Sequence, residues 1–170
     1  PQGPGSRDLY EIYGNVLWHN HRESLFQGTG RVSLHDNLFV DTPKNAIRIM
    51  SHRGRPPELV RIYHNTFVGV NRAISATGMK DASILVHFGN LHADAKGRGT
   101  LRNPTTAFGK LDPRPVRTIR ENISSASLRA IRQDSAHAYD FFANPKPSSL
   151  SYQGAYAPGG AKGHPIRERR

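Results

Sequence analysis

Histidine, tyrosine and arginine stand at matching positions of several strand-like segments in this 170-residue chain. His35 and Tyr63 occupy the same position of the pattern, and Arg61 lies two residues before Tyr63. A neutral imidazole or a phenolate can act as a general base, and a guanidinium can stabilise the charge that develops when a carbon next to a carboxylate loses its proton. We therefore predict two catalytic candidates, His35 and Tyr63. The predicted substrate-binding residues are Arg61, Arg48, Tyr13, His52 and Glu11.

A purely structural role for these residues stays open. Aromatic and polar side chains on the outer side of a strand are ordinary surface residues of β-sheets. His52 lies in the Pro- and Gly-rich stretch 51–57, which also carries two arginines and predicts a protruding loop. Such loops often bind ligands on repeat proteins, although solvated insertions without function are common as well.

The segments that carry these residues are copies of one repeat, each centred on an asparagine. The asparagines are Asn15, Asn37, Asn65 and Asn90, which are 22, 28 and 25 residues apart. Apolar and polar residues alternate before each asparagine, and this period of two predicts a strand with one buried face. A repeat of this length, made of strands and turns, indicates a solenoid.

Each copy also carries a second strand signal. Leu25, Ile47 and Ile74 follow the first three asparagines by nine or ten residues, and no apolar spacing of three and four is present. The sequence therefore predicts two strands per copy, with the intervening residues outward and the apolar residues inward. The residues predicted to point inward are Ile12, Leu34, Ile62, Leu17, Phe39 and Phe67.

The best-formed copy is Val60-Arg61-Ile62-Tyr63-His64-Asn65-Thr66-Phe67. It resembles the rung signature of the pectate-lyase-like superfamily of right-handed parallel β-helices, and the resemblance covers roughly residues 9–94. The fold that it implies is all-β, a right-handed parallel β-helix with an irregular C-terminal capping segment. Equivalent asparagines of stacked coils would lie about 4.8 Å apart and pass amide hydrogen bonds along a structural ladder. An asparagine at such a turn can also tolerate left-handed backbone angles.

The C-terminal part resembles the closing segment of bacterial secreted β-helix proteins. Asp140-Phe141-Phe142-Ala143-Asn144-Pro145-Lys146-Pro147 precedes Gln153-Gly154-Ala155-Tyr156, with Ala143 in place of a glycine of the family pattern. We expect this segment to lie across the last coil and to cover its open strand edge. The predicted division is a linker at 1–8, β-helix coils at 9–103, a terminal rung (at 118–123) with a capping segment at 104–156, and a disordered basic tail at 157–170.

The resemblance implies two functions of different classes. One is a carbohydrate-active β-helix fragment that binds an acidic polysaccharide or cleaves it by a lyase-type reaction. The alternative is a non-catalytic, structural or adhesin-like module of a bacterial surface or secreted protein. Either function implies an extracellular or periplasmic location. No cofactor is expected, because calcium-dependent lyases need clustered carboxylates and the outward columns offer only Glu11, with Asp36 at the turn.

The distribution of charge limits the expected partners. The net charge is +11, but residues 1–94 hold ten Lys and Arg against eight Asp and Glu, whereas residues 95–170 hold fourteen against five. The repeat body is therefore near neutral, and a uniformly basic nucleic-acid groove is not expected. No apolar stretch is long enough for a membrane span. We expect a monomer.

Two histidines two residues apart, His19 and His21, could hold a metal ion on one strand face. No third ligand stands at a suitable spacing nearby in the sequence, so we predict no metal site. The chain has no cysteine, which excludes disulfides and thiolate metal ligands.

Overall fold

The computed structural model describes residues 7–93, 116–118, 129–131, 133, 138–141, 144–146 and 154–155. Most of the predicted linker at 1–8, the coil residues after 93 and the tail at 157–170 lie outside the described residues. The strands are Tyr10–Tyr13 (β1), Val16–Trp18 (β2), Phe26–Gly28 (β3), Arg31–His35 (β4), Leu38–Ile49 (β5), Leu59–Tyr63 (β6), Thr66–Ala76 (β7), Leu85–Phe88 (β8), Leu91–Ala93 (β9) and Val116–Thr118 (β10). A short 3-10 helix, Ala82–Ile84, precedes β8.

Along the chain, strands of a first sheet are followed by strands of a second sheet and then of the first again, which winds the backbone into a solenoid. The first sheet has the order β1-β4-β6-β8 and the second has the order β10-β9-β7-β5-β2, with β3 also paired to β5. All of these pairs except β9 with β10 are parallel. The structure thus confirms the predicted all-β parallel β-helix, in about 3 turns.

The core lies between the sheets, because alternate residues of every strand point inward. Equivalent inward residues are neighbours in the strand register: Leu34 pairs with Ile62, and Phe39 pairs with Phe67. The rings of Phe39 and Phe67 stack with their centroids 5.1 Å apart, and both side chains are fully buried. The two predicted core residues of the first coil, Ile12 and Leu17, are partly buried against the same cluster.

The four asparagines form a continuous hydrogen-bonded ladder along the solenoid. In each step, the backbone N–H of one asparagine donates to the side-chain Oδ1 of the asparagine in the next coil. The distances are 3.1 Å from Asn15 to Asn37, 3.1 Å from Asn37 to Asn65, and 3.0 Å from Asn65 to Asn90. Each Nδ2 of the first three also donates to the next Oδ1, at 3.0–3.2 Å. The ladder therefore satisfies buried polar groups of the corner between the two sheets.

The corner itself is turned by the residue before each asparagine. These residues have φ between 51° and 66°, the left-handed region that is uncommon without glycine. The asparagines themselves are not among the described residues with positive φ. The asparagine follows the turn, and its amide reaches back to a carbonyl of the strand just completed, as Asn37 Nδ2 does to His35 O at 2.9 Å. The left-handed residues are Gly14, Asp36, His64 and Gly89.

The chain reverses direction after the last parallel coil. Val116–Thr118 pairs antiparallel with Leu91–Ala93, so that Val116 lies opposite Ala93. The terminal rung predicted at 118–123 lies outside the described residues apart from Thr118, and Thr118 belongs to this antiparallel strand. An antiparallel strand interrupts the parallel stack and so covers the hydrogen-bonding edge of β9.

Candidate functional site

The two predicted catalytic residues lie in one column of stacked rings on the outer face of the first sheet. The strand register places Tyr13 beside His35, His35 beside Tyr63, and Tyr63 beside Phe88. The ring centroids are 5.0, 4.7 and 5.2 Å apart, and neighbouring ring planes differ by 9° or less. The structure therefore brings His35, Tyr63 and Tyr13 together, as the repeat alignment implies.

The column is nevertheless closed to solvent. His35 is 0% exposed and Tyr63 is 1% exposed, and only Tyr13, at the first coil, is half exposed. Ile131 packs with Tyr63 in one buried cluster, and the ammonium group of Lys146 lies 5.9 Å from the centre of the Tyr63 ring. The expectation that His35 and Tyr63 face solvent is therefore wrong. The physical reason is that a row of flat rings is a large apolar surface, and the C-terminal segment of the same chain buries it.

Carboxylates flank the buried imidazole of His35. Its Nδ1 lies 2.6 Å from Oδ2 of Asp36, and its Nε2 lies 3.7 Å from Oε1 of Glu11. A carboxylate at hydrogen-bonding distance favours the tautomer with the proton on Nδ1. The side chain of Glu11 is 25% exposed, so this predicted binding residue sits at the margin of the closed column.

Lys146 joins the C-terminal segment to this column. Its Nζ donates a hydrogen bond to Oδ2 of Asp36, and both side chains are only 1% exposed. Burial lowers the pKa of Lys146, while the charges of Asp36 and Asp140 act in the opposite direction. Sequence reasoning missed Lys146 as a site residue. The available signal was its position between two prolines, where the resembled closing segment carries an arginine.

The closing segment lies along the corner between the two sheets, across several coils. Gly154 donates its N–H to the carbonyl of Gly89 at 2.7 Å, and Ala155 donates to Oγ1 of Thr66 at 3.0 Å. Phe141 and Ala155 pack against a cluster on the second sheet that includes Val40 and Val68. The prediction that the segment lies across the last coil is therefore too narrow, because Lys146 reaches as far back as the second coil.

The remaining predicted residues divide between two places. Arg61 lies in register with Ser33 on the first sheet and is half-buried, near the closed column. Arg48 is exposed on the second sheet, in the latter part of β5. His52 is also exposed, in a tight turn where His52 and Arg55 exchange two backbone hydrogen bonds of 3.0 Å. The structure does not bring Arg48 or His52 to His35 and Tyr63.

A polar row lies on the second sheet, in the parts of β5 and β7 that follow the left-handed residues Asp41 and Gly69. Gln27 pairs with Arg48, and Arg48 pairs with Ser75, so that the three side chains belong to successive coils. Lys44 and Arg72 are exposed in the same part of the sheet. We call these five residues the basic face.

A cleft of about 290 Å³ lies between the His52 turn and the first coil. Arg7, Arg55 and Glu58 line it together with the backbone of glycines, so its charges are mixed. Its position beside the turn leaves it separate from the closed column of rings.

Comparisons with known proteins do not identify the chain. No protein-family model matches it, and neither the curated proteins nor the solved structures give a significant match. Within the described residues, no helix combines the length and the apolarity that crossing a membrane would need.

Proposed function

We propose that this chain is a pectate-lyase-like β-helix module that binds an acidic polysaccharide along the basic face. The observation that carries the proposal is the in-register row of Gln27, Arg48 and Ser75, with Lys44 and Arg72 beside it. Gln27 and Arg48 are exposed and Ser75 is half-buried, so the row is polar and accessible, in contrast to the buried column that contains His35 and Tyr63.

The spacing of the row suits a regular polymer. Neighbouring strands of a sheet are about 4.8 Å apart, so equivalent side chains of successive coils recur at that interval along the solenoid. A guanidinium such as that of Arg48 can donate two parallel hydrogen bonds to one carboxylate. Gln27 and Ser75 supply neutral hydrogen-bonding groups for hydroxyls on either side of it.

Binding rather than cleavage is proposed because of the burial of the predicted base. A lyase base must reach within hydrogen-bonding distance of the proton that it removes. His35 and Tyr63 are both fully buried, and Ile131 and Lys146 of the C-terminal part lie against Tyr63. A polymer chain would reach them only after the closing segment had left the sheet.

The rung signature around Asn65 and the closing segment around Pro145 support the placement among secreted β-helix proteins. We accordingly propose an extracellular or periplasmic location, where acidic polysaccharides of cell surfaces occur.

The experiment measures binding of the full chain to alginate, pectate and chondroitin sulfate by calorimetry at low and moderate salt. Arg48→Ala should weaken binding by up to about fivefold, the effect of one exposed ion pair. Added salt should weaken wild-type binding, because exposed charges are screened. The matched control is Arg129→Ala, which removes another exposed arginine, two residues before Ile131, whose side chain packs with Tyr63 of the first sheet. Equal losses for Arg48→Ala and Arg129→Ala would contradict a site on the basic face.

A structural module is the second candidate, and the closing segment favours it. The segment covers the outer side of both sheets with apolar and charged contacts, as a stabilising cap would. Absence of binding to every polymer would support this candidate. Release of unsaturated product, seen as a rise in ultraviolet absorbance and abolished by His35→Ala, would instead restore the lyase hypothesis.

A further inference from the structure

Three side chains capable of metal ligation meet at the corner that follows β2. They are His19, His21 and Asp41, and one ligand atom from each lies within 4.8 Å of the others. We propose that His19 and His21 bind a divalent transition-metal ion of the Zn²⁺ class, with Asp41 holding His19 in position. This proposal is independent of polysaccharide binding.

Stacking of the coils creates the cluster. Trp18 pairs with Val40 in the parallel register, so the next residues, His19 and Asp41, lie side by side in adjacent coils. The backbone N–H of His19 also donates to the carbonyl of Val40 at 3.0 Å. The expectation from the sequence that no third group stands near the two histidines is therefore wrong, because Asp41 arrives from the next coil.

Asp41 fixes the orientation and the tautomer of His19. Its Oδ2 lies 2.7 Å from Nδ1 of His19, and its side chain is 0% exposed. A carboxylate at this distance accepts the Nδ1 proton and leaves the lone pair on Nε2. Carboxylate–histidine pairs of this kind orient metal ligands in many metalloproteins and make the imidazole more basic.

The Nε2 atoms of the two histidines then face each other. Nε2 of His19 lies 3.2 Å from Nε2 of His21, and the two rings are nearly perpendicular, at 89°. Two imidazoles on one tetrahedral ion, with metal–nitrogen bonds of about 2.0–2.1 Å, have their nitrogens about 3.3 Å apart. The observed separation is therefore close to that of two imidazoles bound to one ion. The exposed side chain of His21 can move by the small distance that separates the two geometries.

The backbone at this corner is held in a conformation that ordinarily favours glycine. His19 and Asp41 both have φ of 57°, and the equivalent residue of the third coil is Gly69, with φ of 60°. The first two coils thus carry a histidine and an aspartate where glycine is free of strain. Residues held in sparsely populated regions are concentrated at functional sites.

The ligand set selects the class of ion. Two neutral imidazoles suit Zn²⁺, Cu²⁺ and Ni²⁺, whereas Ca²⁺ and Mg²⁺ require mainly oxygen ligands. His19 and His21 occupy two coordination positions, and water or a small anion would take the others. Acidification should weaken binding, because imidazoles bind metals only in the neutral form.

The test titrates Zn²⁺ into the full metal-free chain by calorimetry and records the visible absorption of the Co²⁺ form, whose bands report nitrogen ligation. Wild type should bind one ion through this pair, and Mg²⁺ should not compete. His21→Ala should abolish that binding, and because His21 is exposed the variant should fold as the wild type does, which circular dichroism checks. Asp41→Asn should weaken binding by about 10–100-fold, the usual effect of removing such a supporting carboxylate.

The matched control is His52→Ala, which removes an exposed histidine from a distant turn and should leave binding unchanged. If wild type binds no Zn²⁺, or if His21→Ala binds as tightly as wild type, the proposal is overturned. The two rings would then be joined only by a hydrogen bond between one protonated and one unprotonated nitrogen.

Discussion

Replacing single asparagines of the ladder should reveal a strong dependence on their position along the solenoid. Asn65 lies inside the ladder and is fully buried, and its side-chain amide accepts two hydrogen bonds and donates three, all at 2.9–3.1 Å. In Asn65→Ala the buried N–H of Asn37 loses this acceptor, and the carbonyls of Leu34 and Tyr63 each lose a donor. One buried unsatisfied group costs about 1–3 kcal/mol, so we expect a loss of about 3 kcal/mol in the free energy of unfolding.

Two further variants test the position and the donor pattern of the ladder. Asn15 is exposed at the first coil, and its amide donates only to Tyr13 and to Asn37 among the described contacts. Water can replace those bonds, so Asn15→Ala should cost less than about 1 kcal/mol. Asn65→Asp has nearly the same shape but turns the Nδ2 donor into an acceptor that faces three oxygens. It should therefore destabilise the fold more than Asn65→Ala does.

The measurement is chemical denaturation of all four proteins under identical conditions, followed by circular dichroism. Repeat proteins can unfold in parts, so the slopes and midpoints are compared before free energies are extracted. Equal effects of Asn15→Ala and Asn65→Ala would refute the ladder as a source of stability. An Asn65→Asp variant as stable as wild type would show that the donor pattern at Nδ2 is unimportant.

Three other predictions concern the core and the closing segment, and thermal and chemical denaturation test them all. Phe67→Ala opens a cavity beside Phe39 and should cost about 3–5 kcal/mol; a change below about 1 kcal/mol would show that this stack is not core. Lys146→Met leaves Asp36 buried without its cation and should lower the free energy of unfolding by about 3 kcal/mol. Adding Asp36→Asn should recover part of this loss, because it removes the unpaired buried charge. Because burial lowers the folded-state pKa of Lys146, the unfolded chain binds more protons between that pKa and the ordinary lysine value. Wild-type stability should therefore rise with pH across this window relative to Lys146→Met, and identical pH profiles would contradict the shift. Gly154→Ala would place a Cβ 2.8 Å from Thr66 Oγ1, at a position where φ is 81°. It should destabilise the protein more than the control Gly54→Ala, because Gly54 has a similar φ of 76° but no atom within 4 Å of the added Cβ.

The repeat pattern by itself determined the architecture and the register. Alternation before each asparagine placed Leu34 and Ile62 inward, and the strand pairing agrees residue by residue. This succeeds because stacked coils are nearly identical environments, so a local pattern repeated in the sequence maps directly onto neighbours in space. The same offset of 22 residues that separates Asn15 from Asn37 also separates His19 from Asp41, so the repeat could have placed these two residues side by side. The prediction of no third ligand missed the pair because it considered only residues nearby in the sequence.

Tertiary structure decided which of the outward columns is exposed. His35 and Arg48 both point outward from strands, yet His35 is fully buried and Arg48 is exposed. The difference arises from residues about a hundred positions further along the chain, because Ile131 and Lys146 lie against the column of rings on the first sheet. Periodicity reports the face of a strand on which a side chain lies, but it carries no information about a distant segment that packs against that face. Burial of Lys146 against Asp36 depends on that long-range contact, because the cost of removing both charges from water is offset only when the two meet.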